Sequence, residues 1–112
     1  VLLGAAYKPD VDDARESPSE KLAELLISNK ANVIVHDPLV KRFAYPVVSD
    51  LGSAVECADA IIISTAHSAY KNIDWNSISK KMNAKPVIVD GRNLLSSAPH
   101  EFIYKSIGNP VQ

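Results

Sequence analysis

Residues 1–20, VLLGAAYKPDVDDARESPSE, begin as a buried strand, Val1-Leu2-Leu3-Gly4, and end as a helix start, Ser17-Pro18-Ser19-Glu20. Strand followed by helix is the frame of a nucleotide-binding βαβ unit. A dinucleotide-binding unit carries G-x-G-x-x-G between the two, because bare backbone must approach the pyrophosphate. Here that loop has no glycine after Gly4 and instead holds Lys8, Arg15 and the acids Asp10, Asp12, Asp13 and Glu16. The frame is present and its usual phosphate loop is not.

Three further apolar runs read as parallel strands covered on both faces: Val33-Ile34-Val35, Ala60-Ile61-Ile62-Ile63 and Val87-Ile88-Val89. They are short, β-branched and unalternating. Between them lie helical patterns. Residues 18–29 have Ser17 as N-cap, Pro18 at the first helical position, Glu20 at the capping-box position and Leu22, Leu25 and Leu26 on one stripe. Residues 51–57 form a second helix introduced by Ser49 and Asp50, and residues 74–78 suggest a third. The tail from residue 99 onward is more aromatic and less periodic, and no repeat, low-complexity run or internal linker interrupts the chain. The order β-α-β-α-β-α-β predicts a Rossmann-like three-layer α/β/α sandwich with a mainly parallel, doubly wound sheet.

The 112 residues suffice for one domain, and 46% apolar with 22% charged residues is an ordinary globular composition. A formal net charge of −1 gives no field that would draw nucleic acid or a membrane surface. The apolar runs are of strand length, too short to cross a bilayer, and the start of the chain has no signal-peptide pattern, which points to the cytoplasm. The single cysteine, Cys57, has no second cysteine or histidine at ligand spacing and reads as a small apolar filler. A chain whose first residue already lies in a buried strand is expected to be a fragment of a larger protein.

Ligands of open parallel sheets sit beyond the carboxyl ends of the strands. Lys8 follows the first strand and could neutralise phosphate where no glycines cradle it; Arg92, one glycine past the last strand, could fork onto phosphate oxygens. Either could instead be a solvated or ion-paired cation, with Asp90 or a carboxylate of the first loop as partner for Arg92. Tyr7 either lies against a base or sugar or caps the core. The loop acids are compatible with a Mg²⁺ site, but their place before a helix N-terminus with Arg15 among them favours fixing the loop that carries Lys8, so no metal is expected. Asp37 stands where a Rossmann domain holds a ribose, yet the following Pro38 equally suggests a turn. His67 has no nucleophile arranged as a triad and reads as a satisfied loop histidine or, less favoured, a ligand or interface contact.

The run from Gly4 to Ser19 resembles the signature that opens the C-terminal domain of the UDP-glucose/GDP-mannose dehydrogenase family. The resemblance continues through His36-Asp37-Pro38 (commonly Tyr-Asp-Pro in the family), Thr65-Ala66-His67, Asp74-Trp75, Asp90-Gly91-Arg92-Asn93 and residues 102–108. It implies one domain of an oxidoreductase that turns the C6 alcohol of a UDP-sugar into a carboxylate in two NAD-dependent steps through a cysteine. NAD would be bound by an N-terminal domain, and a central helical region would form the dimer of a homo-oligomeric parent. Cys57 does not match the catalytic cysteine, so the chain alone is expected to be inactive, with no catalytic residue of its own. By the same resemblance Tyr7 and Lys8 face the nucleotide diphosphate and Arg92 reaches it from the last strand. The form of the first motif is similar to the branch acting on UDP-N-acetylhexosamines more than to the UDP-glucose branch, and surface-polysaccharide precursor synthesis is the implied setting. A free-standing interaction module and an NAD-binding domain with a degenerate loop are the alternatives.

Overall fold

The structure, a computed structural model, describes residues 1–107. Its strands are β1 (Leu2–Leu3), β2 (Val35–His36), β3 (Val47–Val48), β4 (Ala60–Ile63), β5 (Val87–Asp90) and β6 (Ile103–Ser106). All pair in parallel in the order β3-β2-β1-β4-β5-β6. That is the doubly wound order, in which the chain winds first to one side of β1 and then to the other. The helices are α1 (Pro18–Ser28), α2 (Leu51–Val55) and α3 (Trp75–Lys81), with a 3-10 turn at Ser68–Asn72.

Successive side chains of a strand point to opposite faces, so Leu2 and Leu3 nucleate two separate cores. Leu2 packs with Ala23 of α1, Val35, Val40 and the alanines Ala5, Ala6 and Ala14. Leu3 packs with Val55 of α2, Ile78 of α3, Ile61, Ile63, Ile88, Tyr70 and Phe102. One layer is therefore α1 and the other α2 with α3, as the Rossmann-like reading requires. Small residues on the first face let α1 approach closely, and its buried positions are Ser19 and Ala23, one turn apart.

Several local expectations need correction. The second strand is Val35–His36 and not residues 33–35; Ile34 is exposed. Two strands were not foreseen: β3 is two residues long, and β6, in the aromatic tail, has a surface-edge burial pattern that gives no apolar run. Burial alternates along β4 and β5, so the outer half of the sheet is deeply covered on one face only. Leu25 of the expected stripe is half exposed. Ser17 does cap α1, by accepting from Ser19 N, but its own N–H donates to Ala14 O, so no reciprocal box with Glu20 is needed. Cys57 is an exposed residue just past α2, in the left-handed conformation (φ 57°), and not a core filler. Gly108 of the tail motif lies outside the described residues.

Candidate functional site

The winding direction reverses between β1 and β4, and at that point the loops after the two strands part to leave a crevice. Its floor is set by a close approach. Ser64 N and Thr65 N both donate to Leu3 O (2.8 and 3.2 Å), and Thr65 Oγ1 donates to Ala6 O at 3.0 Å. Gly4 permits this: at φ +102° a Cβ would stand 2.6 Å from Thr65 N and Oγ1, inside contact distance.

Over this floor lies a cleft of about 130 Å³ lined by Tyr7, Lys8, Pro9, Ser64, Thr65, Ala66 and Arg92. The three residues chosen from the sequence thus meet at one place. Arg92 Nε donates to Ser64 O at 2.9 Å, which carries the guanidinium across the end of β4, and its backbone N–H, not its side chain, goes to Asp90. Neither Arg92 nor Lys8 forms an ion pair among the described residues. Tyr7 is 54% exposed and also borders a wider depression with Asp13, Arg15 and Glu16. Ser64, Thr65 and Ala66 carry no chemical signal of their own; only their place at the end of β4 could have marked them as lining. Pockets that enclose small molecules run to roughly 300–1,000 Å³, so this cleft is the size of a half-site.

The acids organise the loops. Asp10, itself in the left-handed conformation (φ 61°), accepts from Ser68 N at 2.7 Å and Ser68 Oγ at 2.6 Å, bonds that hold its carboxyl below the usual range. Asp13 makes a two-pronged pair with Arg15 (3.0 and 2.9 Å), and the Arg15 hydrogen bonds pull its pKa down to about 2. These two carboxylates are committed to protein partners, and no cluster of three or more metal-ligating side chains occurs among the described residues.

Asp37 is 1% exposed. Its Oδ2 accepts from Ala5 N (2.8 Å) and His67 Nε2 (2.8 Å), its Oδ1 from Leu39 N and Val40 N (2.8 Å each). Burial by itself would raise its pKa, but the backbone donors Ala5, Val40 and Leu39 together with His67 hold it low. With both oxygens engaged it cannot grip a ribose. The loop after β1 also lacks the glycines of a dinucleotide loop. His67 is fully buried and therefore neither a ligand nor an interface contact; it bridges Asp37 and Asp10 N, which donates to its Nδ1 at 2.9 Å.

A second groove, about 480 Å³, opens at the amino ends of the strands between Leu26, Val33, Ile34 and Ala58. Among its charged side chains Glu56 and Asp59 outnumber Lys30, the wrong balance for a diphosphate.

Residues 1–97 match the UDP-glucose/GDP-mannose dehydrogenase family, UDP binding domain. Over 108 residues the chain is 40% identical to UDP-N-acetyl-D-mannosamine dehydrogenase of Pyrococcus horikoshii, covering 96% of this chain and 25% of that protein. The solved structure of the P. horikoshii enzyme superimposes with a TM-score of 0.83 over 96% of this chain and 24% of its own. A solved NDP-N-acetyl-D-galactosaminuronic acid dehydrogenase of Methanosarcina mazei gives the same TM-score, 0.83, at 41% identity, covering 96% of this chain and 24% of that one. UDP-glucose 6-dehydrogenase of Pseudomonas aeruginosa is 36% identical over 98% of this chain and 27% of its own length. The chain spans about a quarter of the length of these relatives. Family match, fold and the glycine-free loop with its two strand-end cations agree: the chain belongs to the UDP-glucose/GDP-mannose dehydrogenase family, as its UDP-binding domain.

Proposed function

We propose that the cleft between β1, β4 and β5 binds the UDP part of a nucleotide sugar, with Lys8 neutralising the diphosphate, Arg92 clamping it from the far side and Tyr7 packing beside the nucleotide. The observation that carries this is the meeting of two cations, unpaired among the described residues, over the end of β4 at the switch point. A packed core has no use for two such charges in one small cleft, whereas a diphosphate has two negative groups to match them. Solvent-excluded hydrogen bonds to charged groups contribute roughly 1.5–3 kcal/mol each.

In this reading the chain, residues 1–112, is the C-terminal domain of an NAD-dependent UDP-sugar 6-dehydrogenase that oxidises the C6 alcohol to a carboxylate. The N-terminal domain of that enzyme binds NAD, and a central region joins the subunits of a homo-oligomer. Asp37 supports the division of labour, because its carboxylate is spent inside the fold. The N-acetylhexosamine substrate, UDP-N-acetyl-D-mannosamine foremost, is favoured by the two N-acetylhexosamine-type relatives near 40% identity. A cytoplasmic enzyme of surface-polysaccharide precursor synthesis fits a chain with one exposed, unbridged cysteine and, among the described residues, no helix long and apolar enough to cross a membrane.

Amide NMR of the chain during UDP addition, with NAD as control, tests the reading. UDP should shift the amides near Lys8, Ser64 and Arg92, and Lys8→Ala or Arg92→Ala should weaken binding roughly tenfold to a hundredfold. Shifts with NAD alone, or unchanged UDP affinity in both variants, would overturn it.

A further inference from the structure

We propose that His67 is a positioning residue for the nucleotide half-site: an imidazole sealed behind the cleft that holds the loop of Tyr7 and Lys8 through its hydrogen-bond-accepting Nδ1. The inference rests on the reading that Lys8 faces a diphosphate, and it extends that reading to how Lys8 is kept in place.

The tautomer follows from the partners. Asp10 N–H can only donate, so Nδ1 must accept; Asp37 Oδ2 already accepts from Ala5 N–H, so it is a carboxylate and Nε2 carries the proton. Asp10 lies two residues beyond Lys8, with only Pro9 between them, and the proline ring fixes φ and stiffens the link. A displaced Asp10 therefore displaces Lys8. The loop needs such an anchor because Asp10 is held in the left-handed region (φ 61°), which side chains adopt at a cost. Three bonds from the segment after β4 hold it there: the one to His67 Nδ1 and the two from Ser68 to its carboxylate. The other residue of the pair, Asp37, fixes Ala5 at the root of the same loop, so His67 ties both ends of the Lys8 segment to the end of β2.

The Asp10 carboxylate, whose Oδ1 lies 3.9 Å from Nδ1, is taken up by Ser68, so the Asp10 N–H is the group that Nδ1 engages. The charged and titratable groups around the ring are Asp37 and His36 on the β2 side, Asp10 on the β1 loop, and Tyr70 and Lys71 on the 3-10 turn. Tyr70 turns its hydroxyl to His36 and not to His67, and Lys71 acts on Asp10, so neither supplies Nδ1 with another donor.

The test compares His67→Asn, whose side-chain oxygen takes the place of Nδ1, with His67→Gln, whose amide nitrogen takes the place of Nε2. NMR of the chain should show the amides of Asp10, Tyr7 and Lys8 little moved in His67→Asn and clearly shifted in His67→Gln. His67→Asn should keep UDP affinity within about twofold at pH 7.5, while His67→Gln should lose roughly three- to tenfold, the scale of one hydrogen bond. A purely structural histidine would make His67→Asn, which removes the donor to Asp37, the worse variant. Equal losses in both variants, or an Asp10 amide that moves no more in His67→Gln than in His67→Asn, overturn the proposal. If neither variant folds, the wild-type Asp10 amide decides: a scalar coupling across the bond from its N–H to His67 Nδ1 supports the anchor and its absence overturns it. Failure of wild type to bind UDP would count against the half-site itself, while the Asp10 amide would still show whether His67 anchors the loop.

Discussion

The two loops that deliver the cations are built differently. The loop after β5 is organised from within: the fully buried Asp90 accepts from Arg92 N, Leu94 N and Leu95 N, two to five residues on, and from Tyr104 OH of β6. The loop after β1 depends more on outside partners. Besides local bonds such as Tyr7 N to Asp13 O and Ser17 Oγ to Ala6 O, it is anchored by Asp37, Thr65, His67 and Ser68, thirty or more residues away in sequence. A loop held by its own first residue forms wherever the strand forms. A loop held by distant partners is correct only when the whole carboxyl edge is assembled, so Arg92 stands on the robust side of the cleft and Lys8 on the adjustable one.

Asp90→Ala should break the self-organised loop with the largest loss of stability. It strands three half-buried N–H groups and the Tyr104 hydroxyl and leaves a cavity where the fully buried carboxylate stood, and denaturant unfolding should show a loss of about 3 kcal/mol. A loss under about 1 kcal/mol would mean that the loop holds without its carboxylate. Gly4→Ala strikes the other side, through the positive φ and the contact with Thr65. It should cost about 2–3 kcal/mol, and its amide shifts should gather at residues 5–13 and spare 90–95; shifts spread equally over both loops would erase the contrast.

A smaller effect is expected in pH. His36 is buried between Tyr70 OH (2.9 Å from Nδ1) and Ser49 O (3.1 Å from Nε2), and desolvation pushes its pKa down. The unfolded chain then takes the proton first, so this stabilisation is complete above the unfolded pKa of about 6.5 and is lost as pH falls through the lower folded value. Comparing Tm between pH 7.5 and 5, His36→Gln should flatten part of the decline; an unchanged slope would place the titration elsewhere. The smallest effect belongs to Arg15→Ala. Its guanidinium is 89% exposed, and exposed pairs contribute little. Unfolding midpoint and UDP affinity should both stay within error, and a clear loss in either would make this local pair as important to the β1 loop as its distant partners.

What could be foreseen follows the range of the forces involved. The α1 cap at Ser17 and Pro18 and the apolar runs of β4 and β5 are local patterns, and they appear where expected. The two-residue β3 and the edge strand β6 carry too few buried side chains to leave a periodic signal. Cys57 looked apolar by residue type, yet it falls where α2 ends in a left-handed turn, and helix termination turns it outward.

The same division holds at the site. The sequence by itself determined the fold class and the absence of a glycine loop, and it put forward Tyr7, Lys8 and Arg92 as candidates, because strand ends can be located from apolar runs and ligands gather beyond them. Only the tertiary structure decided that Asp37 is spent on four internal hydrogen bonds, that Ser64, Thr65 and Ala66 form the floor, and that His67 is a buried bridge. A carboxylate or imidazole has the same formula whether it serves a ligand or a loop. What distinguishes them is which donors the fold brings within three ångströms; beside the local Leu39 N and Val40 N, the partners Ala5 and His67 of Asp37 and Asp10 of His67 lie thirty to sixty residues away along the chain.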